Sequence, residues 1–204
     1  MKYDFDPKAL TSEKSLWDVY VLSRKIPASG FNRIVLVSIS SILTIYAFFV
    51  CDDVGLLLKS VRDWSSIGLS FSLSVLGFLI AGFTIFATLT KPEMLLSMMS
   101  INHKQSGLPY LKYNFFAFMR VFIYYLVISF LCLSVVLFGK QSGIVSTLIG
   151  MIPYAIEVKV VLVKLFYVLI GSGLLFLILL LKTFIFNIYS IVMNHLRWEV
   201  DGPV

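Results

Sequence analysis

Charge is what this 204-residue sequence has least of. Only 14% of its residues are Asp, Glu, Lys or Arg, against about 25% in ordinary soluble domains. With 59% hydrophobic residues and a mean hydropathy of +0.93, a water-soluble fold of this length could not hide the apolar surface. Cysteine is nearly absent too. Cys51 and Cys132 both sit in apolar runs, which excludes a disulfide framework. The two histidines, His103 and His195, fall on the other side of the expected bilayer from Cys51. No zinc site of three or four ligands can therefore be gathered from them. The long apolar runs also lack the intramembrane ionisable groups that mark pumps and active transporters. No glycine-rich phosphate loop, acidic ring or nucleophile–base pairing stands out. The expectation is a protein that is not an enzyme, with no cofactor, no metal and no catalytic residues.

What is present is long, uncharged and regular. A helix needs about 20 apolar residues to cross the hydrocarbon core. Four stretches meet or approach that length: 34–51, 65–90, 121–139 and 162–182, the last if Lys164 snorkels. The predicted fold class is all-α, a polytopic membrane protein with four transmembrane helices. Residues 1–33 form an amphipathic N-terminal segment, 34–182 the transmembrane domain, and 183–204 a helical extension and tail. The first 33 residues carry ten charges and no early apolar core, unlike a signal peptide. Lys and Arg divide twelve to five between the two sides of this arrangement. By the positive-inside rule both termini and the middle loop are cytoplasmic, which for a bacterial protein means the inner membrane. The net charge of +6 then reflects topology, and no direct binding of nucleic acid is expected.

The connecting segments carry their own patterns. "DDVGLLLKSVRDW" sets Leu57, Val61 and Trp64 at helical spacing, an interfacial helix ending in a boundary tryptophan. "GIVSTLIGMIPYAIE" is apolar but broken by Gly150 and Pro153, and both a re-entrant and an interfacial placement fit it. Residues 6–25 open with Asp-Pro, an N-cap and N1 proline pair, and continue as an amphipathic helix through Trp17 and Tyr20. That helix suits either an anionic lipid surface or a soluble partner. Beyond Lys182 a polar stripe of Thr183, Asn187, Ser190, Asn194 and Arg197 predicts that the fourth helix continues past the bilayer, available to another helix or to solvent.

The second span is the most regular. Ser70, Ser74, Gly77, Ala81, Thr84 and Thr88 recur at spacings of four and three, with Phe71, Leu76 and Phe78 off the stripe. In lipid, helices associate by close backbone approach, and small residues on one face permit it. A 3.5-residue period predicts a left-handed crossing near +20°. Packing within one chain, for example against Ser40, Thr44, Ala47 and Cys51 of the first span, is the default expectation; packing between chains and lining of a pore are the alternatives. The stripe ends at Thr90-Lys91-Pro92-Glu93, which fits a capping box with a proline that stops the preceding helix. Met94 and Met98 follow on one face of a new helix, an adaptable contact surface. Trp17, Tyr20, Met94, Met98, Asn187 and Asn194 are accordingly the candidate partner contacts.

This layout, with the second span breaking at "GFLIAGFTIFATLTKPEML", resembles the membrane subunit (KwaA) of the Kiwa anti-phage defence system. The resemblance implies an inner-membrane homo-oligomer that senses phage-induced membrane perturbation. It also implies a soluble cytoplasmic DNA-binding partner (KwaB-like) that the membrane subunit recruits or activates. Two other functions fit the residues: a pore-forming effector that depolarises the membrane, and a passive structural subunit of a membrane complex.

Overall fold

The computed structural model describes residues 5–89, 91–140, 143–151 and 153–201. Seven α-helices are present among them: α1 (Leu16–Ser23), α2 (Gly30–Ile45), α3 (Val54–Leu89), α4 (Pro92–Ser100), α5 (Tyr110–Phe138), α6 (Ile144–Gly150) and α7 (Ala155–Asp201). No strand occurs among the described residues, only an isolated bridge between Asn102 and Pro109. Four helical stretches are long and apolar enough to cross a membrane, one each on α2, α3, α5 and α7. The all-α, four-span fold class is therefore what the chain adopts.

Several boundaries differ from the expected ones, each for a local reason. The segment 54–64 is not a separate interfacial helix but the start of α3, which runs unbroken for 36 residues. Leu57 and Val61 continue, at helical spacing, the buried face of Ser65 and Gly68, so one packed stripe carries the helix through its charged first turns. The fourth helix likewise starts at Ala155 rather than 162 and extends for 47 residues, about 70 Å at 1.5 Å per residue. At the N-terminus the predicted single helix is two pieces. Asp6 caps only a short 3₁₀ turn, Pro7–Thr11, by accepting from Lys8 N–H at 3.0 Å. α1 begins afresh at a capping box: Ser15 Oγ accepts from Asp18 N–H at 3.1 Å, and Asp18 accepts from Ser15 N–H at 3.0 Å. A hydrogen bond from the Ser15 side chain, with those from the Lys14 and Ser15 backbone, holds the Asp18 carboxyl below its usual range.

α2 widens into a π-helical turn at Tyr46–Val50 before the chain leaves it. Within 144–156, α6 is a single seven-residue helix, too short to span twice. Tyr154 takes a φ of +63°, a strained turn for a bulky side chain, immediately before α7.

The chain forms two compact units, 1–28 with 76–124 and 180–204, and 29–75 with 125–179. In the second unit, α2, α3, α5 and α7 pack through small residues and a few buried hydroxyls. A Cβ on Gly68 would lie 2.5 Å from Leu174 Cδ2 and 3.1 Å from Cys132 Sγ; one on Gly171 would lie 2.8 Å from Leu43 Cδ1 and 3.0 Å from Trp64. Ser129 Oγ sits 2.7 Å from Ser72 Oγ, and Ser40 donates to Ser172 Oγ at 2.9 Å. Tyr125 donates its buried hydroxyl to the Leu177 carbonyl at 2.8 Å. Trp64 stacks at a tilt on Tyr167, centroids 4.7 Å apart, with Tyr46 on the same ring at 6.0 Å. Arg62 Nε donates 2.8 Å to the Gly139 carbonyl, placing a cation at the negative end of α5.

The first unit has an aromatic core. Phe83 of α3 meets Phe115, Phe118 and Phe122 of α5 edge-on at 5.5–6.3 Å, and Phe118 meets Phe184 of α7 at 5.3 Å. Ile188 and Phe184 lie beside Gly82 of α3, at distances an added Cβ would fill as ordinary contact. Such edge-to-face contacts add to burial about 0.5–1.5 kcal/mol each.

Candidate functional site

α3 carries two stripes of small residues, and they do opposite things. The inward stripe is Ser65, Gly68 and Ser72, flanked by Leu57, Val61, Leu76 and Leu79, all buried. The predicted stripe is the other one. Ser70, Ser74, Gly77, Ala81, Thr84 and Thr88 are all exposed, and a Cβ on Gly77 would meet nothing within 4 Å. The default expectation that this stripe packs within one chain is corrected: it is turned away from the core along its whole length. Nor does the stripe of the first span seek it. Ser40 is bonded to Ser172 of α7, Thr44 is exposed, and Ala47 and Cys51 are buried.

The outward stripe is chemically quiet. Ser70 donates to the Ser66 carbonyl at 3.2 Å, Ser74 to Ser70 at 2.9 Å, Thr84 to Ile80 at 2.9 Å and Thr88 to Thr84 at 2.9 Å. Each hydroxyl proton is thus absorbed by the preceding turn, as Ser and Thr do in apolar helices. What remains is a low, smooth surface. Ser66, Ser70 and Ser74, with Ile67 and Phe71 alongside, line a shallow open groove.

The break after the stripe is real, with different chemistry from the expected box. α3 ends at Leu89 and α4 starts at Pro92. Lys91 is the N-cap, in extended geometry (φ −61°, ψ 137°) and without a side-chain cap bond, and Glu93 lies in the first turn. Extended geometry is what a residue before proline prefers. Thr90, the proposed cap, lies outside the described residues.

The candidate partner contacts separate into accessible and inaccessible. Trp17 is exposed, while Tyr20 is half-buried beneath it and edge-on to Tyr124 at 6.2 Å. Met94 is 5% exposed and Met98 half-buried. The expectation for Met94 is thus corrected: it turns into its own unit, where α4 buries Met94 and Met99. On α7 Asn187 is half-buried and Asn194 exposed.

Residues that the sequence did not single out tie the N-terminal segment down. Lys112 donates to Glu13 Oε1 at 2.6 Å, to Oε2 at 2.8 Å and to Ser12 Oγ at 2.7 Å, with both charged side chains nearly covered. Burial would raise the Glu13 carboxyl, but the hydrogen bonds from Lys112 and Ser12 outweigh it and hold the group below its usual range. Arg120 Nη1 donates to the carbonyls of Ser23 (3.2 Å) and Ile26 (2.8 Å). Between these two anchors, Val19, Leu22 and Tyr113 pack on a core of Ile26, Leu108, Phe116 and Ala117. The spacing of Lys112, Phe116 and Arg120 by four is the signal that could have exposed this face. His103 stacks on Tyr113 at 4.1 Å and accepts at Nδ1 from the Ser106 N–H, closing the 101–110 turn. Among the described residues no group of three His, Cys, Asp or Glu side chains could hold a metal ion.

No protein-family model matches the chain, no curated protein matches it, and no solved structure matches it.

Proposed function

We propose that this chain is an inner-membrane component of a bacterial anti-phage defence system. In this reading it assembles with copies of itself, senses phage-induced membrane perturbation, and recruits or activates a soluble cytoplasmic DNA-binding partner. The observation that carries the reading is the exposed outward stripe of α3. Six small positions in register, with open space over Gly77 and hydroxyls already bonded within the helix, suit close approach of an identical helix in lipid. A packing equilibrium along that stripe would respond to bilayer thickness and lateral pressure, because mismatch shifts helix tilt and association by fractions of a kcal/mol per Å. The stripe runs to the break at Lys91-Pro92, so a change in crossing would pass directly to α4. The C-terminal part of α7, with Asn194 exposed, supplies the partner surface, and both termini lie in the cytoplasm by the charge balance. The layout's resemblance to the Kiwa membrane subunit supports the same assignment.

The test joins assembly to protection. Gly77→Leu and Ala81→Phe should dissociate the purified oligomer and abolish phage protection in cells carrying the chain with its neighbouring genes. Unchanged oligomer mass with unchanged protection would overturn the reading. Step-like conductance of the purified chain in planar bilayers, with no soluble protein co-purifying, would replace it with the pore-forming effector.

A further inference from the structure

The N-terminal helix α1 has one face with no protein against it, and the geometry points to a lipid surface with anionic headgroups as its occupant. The packed face is Val19, Leu22 and Ser23, turned toward Ile26, Phe116 and Ala117. The opposite face holds Trp17 and Val21, 69% and 47% exposed, and Leu16 at the helix start is 52% exposed. Along the helix this apolar face leads into Arg24 and Lys25, both exposed. An apolar patch with a tryptophan, bordered by cations, suits the headgroup boundary of a membrane.

Depth decides between lipid and a soluble partner. Arg120 is the last charged residue of α5 before the uncharged run 121–139, so its guanidinium marks the level at which α5 leaves the headgroups. That guanidinium donates to the carbonyls of Ser23 and Ile26, the end of α1 and the turn that follows it. The bonds fix the C-terminus of α1 at the height of the bilayer boundary, and Trp17, near the other end of the helix, lies further out toward the headgroups, a layer that Trp favours. The Lys112 contact with Glu13 lies two turns further from the membrane run on α5, so the start of the N-terminal segment is also anchored. Glu13 is thereby neutralised, and Arg24, Lys25 and Arg120 are left as the charges near the end of α1. They complement phosphate and anionic lipid headgroups. In this arrangement Arg120 is a positioning residue, holding α1 where its exposed face meets lipid.

Trp17 reports the outcome directly. The full chain and its Trp17→Phe variant are reconstituted in vesicles of phosphatidylethanolamine and phosphatidylglycerol, and the difference in their fluorescence isolates Trp17. Lipid brominated near the glycerol end of its acyl chains should quench that difference about twofold more than lipid brominated near the methyl end. Aqueous acrylamide should reach it poorly. Replacing phosphatidylglycerol by phosphatidylcholine should weaken the shallow quenching, and the exposed double variant Arg24→Gln/Lys25→Gln should remove that dependence on lipid charge. Arg120→Gln should lower shallow quenching and raise access to acrylamide, while Arg120→Lys restores part of both. Strong acrylamide quenching with no effect of brominated lipid would overturn the proposal, as would quenching indifferent to lipid charge. Neither result depends on assembly through α3.

Discussion

The two faces of α3 are built from the same kinds of residue and have opposite fates. Ser65, Gly68 and Ser72 are buried, with Leu174 and Cys132 pressed against Gly68 and Ser129 against Ser72. Ser70, Ser74 and Gly77, one helical face away, are exposed, the serines bonded only to their own helix and Gly77 facing open space. In water, burial and exposure would be written in polarity. In lipid both faces are apolar, and small residues mark close helix approach whether the neighbour is in the same chain or another. The inward stripe has found its neighbours, and the outward stripe has the same equipment without them.

Substitutions can widen or close that contrast. The largest effect is expected at the inward glycine. Gly68→Leu must displace Leu174 and the Cys132 sulfur, and should cost about 3 kcal/mol by overpacking, measured by thermal or denaturant unfolding in detergent. Next comes the buried hydroxyl pair. A double-mutant cycle of Ser72→Ala and Ser129→Ala should give a coupling of about 1 kcal/mol, within the range for hydrogen bonds between membrane helices. A coupling near zero would mean that the 2.7 Å approach is only steric.

A smaller effect belongs to the N-terminal anchor. The Glu13 carboxylate is held below its unfolded pKa of about 4.3. Its contribution is therefore fully present above that value and is lost as pH falls through the lower, folded pKa. Relative to the intrinsic rate at each pH, amide exchange across 12–26 should accelerate on going from about pH 5 to about pH 3, and Glu13→Gln should remove most of that acceleration. Equal acceleration in the variant would assign the change to Asp18 or another group. The smallest effect on folding is expected at the outward glycine. Gly77→Leu meets open space within its own chain and, compared in detergent dilute enough that both proteins are single chains, should leave unfolding within about 0.5 kcal/mol of wild type.

The sequence displayed the spans plainly, because stretches without charge are their own label in a membrane protein. It displayed the outward stripe as well, through an uninterrupted 3.5-residue period. It did not say which way that stripe faces, since hydropathy cannot separate a lipid-facing position from a packed one. The inward stripe was equally visible at Val61, Ser65, Gly68 and Ser72, but it begins among Lys59, Arg62 and Asp63, whose charges read as a separate interfacial helix outside the span. The N-terminal anchor was harder to see. Lys112–Glu13 and Arg120 with the Ser23 and Ile26 carbonyls join residues about a hundred positions apart, and no local pattern announces the pairing. Met94 shows the opposite failure: a methionine at helical spacing looks the same inside and outside.

Assembly through the outward stripe is the centre of this account, and mass measures it most directly. The full-length chain in mild detergent, by light scattering with the detergent contribution subtracted, should weigh a whole-number multiple of 23.1 kDa greater than one. Gly77→Leu should fall to a single chain that keeps the wild-type helix content, with an unfolding midpoint lowered only by the lost association. A wild-type mass of one chain, or an undiminished oligomer in Gly77→Leu, would contradict the claim that α3 meets its own copy there.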